Sequence, residues 1–235
     1  MKKTMPRSIG VFVLFVTGLL MVQSVGGSTP SQADDLELRV RDFVHQRYVH
    51  GVPYGGAREL GPEAVPILEA MLDDPTEEEF LPTIVMTIGF IGEESSLAAL
   101  VDFLENRHHG EVSIHQFRAL LAVNSAMGHI AGRGSALAFD YLARGCRSAT
   151  WREKELAWSY QHWSGEGLAI LLSKISVNGL SFTGTERAEE ILLDLRENPE
   201  SPASAAALLP NIDEGLVRIQ RIRESGPEEV FGGSR

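Results

Sequence analysis

Residues 76–106 read TEEEFLPTIVMTIGFIGEESSLAALVDFLEN, and this stretch decides the predicted fold. Three acids come first, and an apolar segment follows them as far as Gly89. In the second half, apolar side chains recur every three or four positions, at Leu97, Leu100, Val101 and Leu104. Spacing of this kind places the side chains on one face of a helix. The stretch therefore predicts two successive helices, near 77–89 and 94–106, each with an apolar face to bury.

Possible helix starts recur at equal intervals along the chain. Thr76-x-x-Glu79, Ser113-x-x-Gln116 and Thr150-x-x-Glu153 have the form of a capping box, and they are 37 residues apart. In a capping box the hydroxyl accepts a hydrogen bond from a backbone N–H of the first turn, and the acid or amide reaches back. The equal spacing indicates one structural unit repeated, because periods of about 20–50 residues are typical of solenoids.

A second repeated segment does not depend on the capping boxes. Ile88-Gly89-Phe90-Ile91-Gly92 recurs as Met127-Gly128-His129-Ile130-Ala131 after a shift of 39 residues. Glycine at such positions can close a helix or allow two helices to approach closely.

The same periodicity predicts pairs of helices along most of the chain. First helices are expected near 35–49, 77–89, 114–130, 151–163 and 185–197, and second helices near 62–73, 94–106, 134–145, 165–176 and 202–209. Alternating strand patterns are scarce, so the predicted fold class is all-α. We expect an α-solenoid of about five stacked helix pairs over 34–224, followed by a flexible tail over 225–235.

The segment from Leu60 to Leu68, LGPEAVPIL, followed by Asp73-Asp74-Pro75, resembles the turn, second helix and inter-repeat Asp-Pro of a HEAT repeat. The similarity is to the bacterial, phycobilisome-lyase-like variety of this family. Residues 88–107 and 126–144 resemble further units, so the resemblance covers roughly 55–145. It implies stacked helix pairs in a right-handed superhelix that presents one face to a protein partner.

The N-terminus has the features of a secretory signal peptide. Lys2, Lys3 and Arg7 precede an apolar run of 14 residues from Ile9 to Val22. This run is shorter than the roughly 20 residues that span a bilayer and fits the apolar region of a signal peptide. Cleavage is expected after Ala33 in preference to Gly27, with an uncleaved anchor as the alternative. The sequence thus predicts residues 1–33 as signal peptide and short linker, and an exported protein, periplasmic or secreted, without stable membrane insertion.

The composition narrows the classes of partner. The chain carries a formal net charge of −11, which becomes −14 without residues 1–33 because these contain three basic side chains and no acid. Since nucleic-acid binding depends on neutralising phosphates with basic side chains, we expect no nucleic-acid partner. Cys146 is the only cysteine, so no intramolecular disulfide is expected, and a buried thiol is the favoured interpretation.

Motifs of enzyme chemistry are missing from the sequence. It contains no G-x-S-x-G, H-E-x-x-H, C-x-x-C or EF-hand pattern. The pair Gly51 and Gly56 is followed by Ala57-Arg58, where a phosphate-binding loop needs Lys and Ser or Thr. The sequence therefore predicts no enzyme and no cofactor.

One cluster of histidines and one of acids contain residue types that bind metals, but the spacing of each indicates another role. His108, His109 and His115 lack the spacing of three or four that brings helical ligands to one ion, so a solvated loop is expected. The acids from Asp73 to Glu79 fit the first turn of a helix, where they oppose the positive end of the helix dipole. We therefore expect no metal site.

A candidate protein-binding patch is predicted around the three tryptophans. Trp151, Trp158 and His162 would share one buried face of the predicted helix 151–163, whereas Tyr160 and Trp163 would point elsewhere. Basic side chains adjoin this region in sequence, and arginine and tryptophan are enriched at binding hot spots. The candidate protein-binding residues are Arg144, Arg147, Arg152, Trp151, Tyr160 and Trp163. The alternative is that the arginines offset acids on neighbouring repeats.

Together these features predict an exported protein-binding or scaffold module whose solenoid surface takes a protein or peptide. A structural subunit of an envelope assembly is one alternative, and it predicts stable self-association. A hydrolase with an unrecognised carboxylate or histidine pair is another.

Overall fold

The computed structural model describes residues 32–49 and 51–232. These residues are mostly helical, as predicted. Residues 1–31 of the predicted signal peptide and linker, which include the apolar run, lie outside the described residues, and residues 32 and 33 belong to the first helix. Within the described part of the chain, no helix is both long enough and apolar enough to cross a membrane.

Twelve α-helices and two short strands make up the regular structure of the described residues. In chain order they are α1 Gln32–Val44, α2 Tyr54–Glu59, α3 Val65–Leu72, α4 Leu81–Ile91, α5 Leu97–Glu105, β1 Gly110–Glu111, α6 Ile114–Gly132, α7 Ala136–Gly145, α8 Ser148–Glu153, β2 Trp158–Ser159, α9 Gly165–Ser181, α10 Glu186–Glu197, α11 Pro202–Ser225 and α12 Pro227–Gly232. One-turn 3-10 helices lead into α3 and α5, and a longer one, Pro75–Phe80, leads into α4.

Four helices, α4, α6, α9 and α11, lie side by side in a first layer, with α4 packed on α6, α6 on α9 and α9 on α11. In each pair, residues later in one helix contact residues later in the other helix. For example, Gly89 of α4 meets Ala126 of α6, and Gly92, directly after α4, meets Arg133, directly after α6. The four helices are therefore parallel, and the C-terminal ends of α4, α6 and α9 meet at one border of the layer, which we call the C-terminal edge.

Four further helices, α3, α5, α7 and α10, form a second layer against the first. Polar contacts join successive members of this layer. They are Arg107 with Asp73, Tyr141 with Glu105, and Arg187 with Asp140. Burial, and then the hydrogen bond to Glu105 at 2.6 Å, raises the pKa of the Tyr141 hydroxyl. The second layer is thus held partly by charge, whereas the first depends on close apolar packing.

Glycines bring the backbones of the first layer into contact. A methyl group added at Gly89 would overlap the backbone of Ala126, and one added at Gly128 would overlap the backbone oxygen of Gly179. At Gly179 it would overlap the carbonyl oxygen of Asn124. These contacts form what we call the glycine seam. Gly92 has the other expected role, because it closes α4 in the left-handed conformation at φ 78°.

Of the three predicted capping boxes, the structure contains one. Ser113 accepts from the backbone N–H of Gln116 at 3.2 Å, and the Gln116 side chain accepts from the Ser113 N–H at 2.9 Å. At the first position Asp74 is the cap and Thr76 lies within the helix that follows. At the third, Thr150 lies inside α8 and donates to the carbonyl of Arg144. Three equivalent helix starts were therefore the wrong interpretation of the 37-residue spacing.

The predicted helix 151–163 is also wrong. Helix α8 ends at Glu153, β2 pairs in parallel with β1, and a bridge joins Tyr160 to Trp163. The chain leaves helical geometry at Glu155, which has φ 46°, and the indole of Trp158 turns inward to donate to the carbonyl of Leu104 at 2.8 Å. A short irregular segment thus occupies the place where the sequence predicted the first helix of a pair. As a result α9, predicted as a second helix, lies in the same layer as α4 and α6.

The C-terminal region is more ordered than predicted. Helix α11 continues through Pro210 to Ser225, far beyond the expected end at residue 209. Residues 227–232, assigned from the sequence to a flexible tail, form helix α12, which packs on α11 and α2. The last helix of the described chain thus meets α2, the second helix.

Candidate functional site

The structure divides the predicted protein-binding patch. Trp151 is buried at 3% exposure, and its indole donates to the carbonyl of Gly145 at 2.6 Å. Trp158 is equally buried, so both tryptophans belong to the core. They lie on α8 and β2, and not on one helix as predicted. His162, expected on their face, is exposed. The assignment of Trp151 to a binding surface is therefore corrected.

Two of the three patch arginines bind acids of later helices. Arg147 contacts Asp194 of α10 at 2.9 Å, and Arg152 contacts Glu166 of α9 at 2.9 Å. Arg144 is exposed near the end of α7. The two ion pairs agree with the alternative in which arginines offset acids on neighbouring helices.

The other two aromatic residues of the patch lie together but in a shallow position. Tyr160 stacks on Phe117 with ring centroids 4.3 Å apart. Trp163 exchanges two backbone hydrogen bonds with Tyr160, at 3.1 and 2.8 Å, and its side chain is half-buried. Tyr160 and Trp163 are thus partly accessible, next to the β1–β2 pair.

A different aromatic group occupies the C-terminal edge, and we call it the edge cluster. It consists of Tyr54 from α2, Phe90 from α4, His129 from α6, Phe182 directly after α9, and Phe231 from α12. The His129 ring is at the centre, with centroids at 4.6 Å to Phe90, 4.9 Å to Phe182 and 4.6 Å to Phe231. Because α4, α6 and α9 are parallel and end together, the last turn of each delivers one ring to the same place.

His129 behaves as a neutral ring in this cluster. It is 7% exposed, and burial lowers its pKa to about 3. The imidazole is therefore uncharged at neutral pH and packs like the phenyl rings around it. Edge-to-face and tilted arrangements of this kind add to the stabilisation from burying the rings.

Two arginines flank the edge cluster on opposite sides. The guanidinium of Arg58 lies 5.6 Å from the ring centroid of Tyr54 and forms an ion pair with Glu228 of α12. The guanidinium of Arg218 lies 5.1 Å from the ring centroid of Phe182 and donates to the hydroxyl of Ser181 at 2.7 Å. An apolar centre with a cationic border is thereby formed, as in many protein interfaces.

Helix α12 lies over the edge cluster with an open cleft on each side. The first cleft, of about 1060 Å³, is lined by residues 51–56, by Arg47 and by α12. The second, of about 710 Å³, is lined by Phe182, Val217 and Arg218 and by the other side of α12. Phe231 borders both clefts. We call the two clefts with the edge cluster between them the edge groove.

A buried charge cluster near the N-terminal end was not predicted. Glu77 is 4% exposed and accepts from Arg41 at 2.6 Å, and it also binds His45 Nε2 at 2.7 Å. The His45 ring packs on Phe80, with centroids 4.3 Å apart. Both carboxylate oxygens of Glu77 are thus used to hold α1 against the 3-10 helix before α4, which is a structural role.

A small apolar cavity of about 160 Å³ lies between α10 and α11 beside Cys146. Leu195, Leu208 and Ile212 line it. Burial raises the pKa of the Cys146 thiol, so the group stays protonated and is a poor nucleophile, as the sequence suggested.

Within residues 32–49 and 51–232, no group of three or more His, Cys, Asp or Glu side chains is arranged to hold a metal ion. His108 packs on Phe103 at 4.8 Å between ring centroids, and burial lowers its pKa.

The edge cluster could have been suspected from the sequence in part. Phe90 and His129 are the third residues of the two repeated segments that begin at Ile88 and Met127, which drew attention only for their glycines. Phe182 and Phe231 have no comparable pattern around them.

The chain matches no protein-family model, no curated protein and no solved structure. Its function therefore has to be inferred from the geometry described above.

Proposed function

We propose that the protein is an exported protein-binding module, in which a HEAT-like α-solenoid presents the edge groove to a segment of a partner protein. The observation that carries this proposal is the position of Phe231. A ring from a short helix lies among rings from three other helices, which is how an aromatic anchor of a bound peptide packs in a receptor groove.

The composition of the edge groove supports protein binding. Aromatic side chains and arginines carry most of the binding energy in protein interfaces because they fill desolvated pockets. Tyr54 and Phe182 provide rings of the groove, and Arg58 and Arg218 provide the charged border. The exposed side chain of Val217, at 60%, extends the apolar surface into the second cleft.

The layered architecture supports the solenoid part of the proposal. Parallel helices stacked in one layer, with a second layer on one side, place equivalent ends of successive helices along one border. The features of the first 33 residues support export, and the acidic net charge supports a protein partner over a nucleic acid.

Site-specific photo-crosslinking in the producing cells tests the proposal. A photoreactive benzoylphenylalanine at Val217 should crosslink to a partner, because this side chain borders the edge groove. The matched control is Leu137 of α7, which is 62% exposed but belongs to the second layer, and it should give no crosslink to the same partner.

Other outcomes have defined meanings. A partner crosslinked at Trp163 but not at Val217 would move the binding surface back to the patch predicted from the sequence. Crosslinking of Val217 only to a second copy of the chain, with a defined oligomer in light scattering, would favour a structural subunit. Both results would contradict the edge groove as the partner site.

A further inference from the structure

We propose that α12 is an internal occupant of the edge groove, and that the partner segment carries the same pair of groups: a carboxylate and, three positions later on a helical turn, an aromatic ring. This inference rests on the proposed function and specifies the class of ligand. The partner is thus an acidic, aromatic peptide segment that competes with α12.

The contacts of α12 resemble those of a bound ligand. Glu228 and Phe231 are three residues apart, so both lie on one side of the helix. Glu228 pairs with Arg58, which is 170 residues away in the chain, and Phe231 packs against His129 and Phe182. Two side chains of α12 therefore make charged and aromatic contacts with α2, α6 and the end of α9.

Helix α12 has little stability of its own. It contains six residues, none of them buried, and isolated helices shorter than about 12–15 residues are marginal in water. Its helical form therefore depends on the contacts of Glu228 and Phe231. When the segment leaves the groove, it is expected to unfold.

The junction before α12 allows it to leave without disturbing α11. Gly226 has φ 82° and ψ 158°, a conformation that side-chain-bearing residues rarely adopt. The Gly226 N–H closes α11 by donating to the carbonyl of Ile222 at 2.8 Å. Helix α11 is thus complete before α12 begins, and rotation about Gly226 would move α12 as a unit.

The surroundings of the groove favour a carboxylate on the ligand. Arg58 and Arg218 are the cations nearest to the rings, and Arg47 and Arg221 line the two clefts. Acids also line the clefts: Glu59 lies in the first, together with Glu228 and Glu229 of α12 itself, and Asp213 and Glu214 lie in the second. The ion pair between Arg58 and Glu228 shows that the position beside Tyr54 binds a negatively charged group.

Competition by an attached segment has a measurable effect on affinity. A ligand that needs an open groove binds with its intrinsic dissociation constant divided by the open fraction. If α12 occupies the groove about 90–99% of the time, a free peptide binds roughly ten- to a hundredfold more weakly than to an open groove.

The test uses the full chain and a labelled peptide with the sequence of residues 224–235, ESGPEEVFGGSR. Fluorescence anisotropy should show at least about tenfold tighter peptide binding to the Phe231→Ala variant than to the unaltered chain. Glu224→Ala is the matched control, because Glu224 is an exposed acid of α11 that lines neither cleft, and it should leave the affinity unchanged. A peptide with Ala in place of its own Phe should not bind any of the proteins.

A second measurement reports the site directly. The His129 ring lies 4.6 Å from Phe231, so its proton resonances should shift in Phe231→Ala and return toward their original positions when the peptide is added. Circular dichroism should show that Phe231→Ala keeps the fold of the other helices and loses at most the six helical residues of α12.

Three results would overturn the proposal. One is equal peptide affinity of Phe231→Ala and the unaltered chain, and another is a His129 resonance that does not respond to Phe231→Ala. The third is a dimer that dissociates in Phe231→Ala, since α12 of a second copy would then be the occupant. If Val217 still crosslinks to a partner while the peptide fails to bind, the edge groove remains the partner site and only the proposed ligand class is wrong.

Discussion

Acidification from pH 8 to pH 5 is expected to destabilise the protein by about 2 kcal/mol through His129 alone. Burial lowers the pKa of this imidazole from 6.5 to about 3 in the folded protein. At pH 5 the unfolded chain therefore binds a proton at this site, and the folded protein does not. Each pH unit between the two pKa values removes about 1.36 kcal/mol, and 1.5 units lie between pH 6.5 and pH 5.

The sign follows from which state binds the proton. The folded pKa lies below the unfolded one, so the stabilising contribution is complete above about pH 6.5. It is lost progressively as the pH falls toward 3, where the folded protein also becomes protonated. His129 is nearly inaccessible, so solvent screening reduces this effect little.

Urea unfolding followed by circular dichroism at pH 8 and pH 5 measures the effect. The His129→Phe variant keeps a ring in the edge cluster but cannot titrate, so its loss of stability between the two pH values should be smaller by about 2 kcal/mol. His109→Gln, at an exposed histidine, should behave like the unaltered chain. An equal loss in His129→Phe and in the unaltered chain would show that His129 is not a buried neutral ring.

Three further predictions concern the seam, the buried acid and export. Gly128→Ala should destabilise the protein by about 1–3 kcal/mol or more in urea unfolding, because its methyl group would overlap Gly179. Gly167→Ala, where no heavy atom is closer than 4.0 Å, should be neutral or stabilising by up to about 1 kcal/mol. Glu77→Gln should cost roughly 1–2 kcal/mol, since charged hydrogen bonds contribute about 1.5–3 kcal/mol and Arg41 and His45 stay partly hydrated. Glu79→Gln, at an exposed pair with Arg47, should change stability by less than about 0.5 kcal/mol. Mass spectrometry of the extracytoplasmic fraction should find a new N-terminus between Gly27 and Asp34, and intact Met1 on cytoplasmic protein would contradict export.

Helices with regular apolar spacing were predictable from the sequence. The expected helix 114–130 corresponds to Ile114–Gly132, and the expected 185–197 corresponds to Glu186–Glu197. In both, the apolar face packs on neighbouring helices, so the period of the pattern and the structure agree. Local periodicity was sufficient wherever one helical face meets a core.

The segment around the tryptophans failed because its structure is decided by distant contacts. The Trp158 indole donates to the carbonyl of Leu104, 54 residues earlier, and β2 pairs with β1, whose residues lie 48 positions earlier in the chain. Such contacts override a helical pattern and leave no local trace in the sequence. The mistaken helix also shaped the predicted patch, since Tyr160 and Trp163 were placed on the outer faces of a helix that in fact ends at Glu153.

The edge groove was only partly within reach of sequence analysis. Phe90 and His129 hold equivalent positions in two similar segments, and a repeat analysis extended to their third residues would have paired them. Phe231 was beyond such analysis, because α12 is short and acidic and begins at Pro227 directly after Gly226, a pattern typical of a tail.

The apolar cavity beside Cys146 has a consequence under hydrostatic pressure. Its volume is about 160 Å³, and the volume change of unfolding scales with the unfilled space that unfolding eliminates. The contact between α10 and α11 is therefore compressible, whereas at the glycine seam the backbones of α4, α6 and α9 touch and leave little space between them. Compression should accordingly loosen the α10–α11 end first, while α4, α6 and α9 remain packed together.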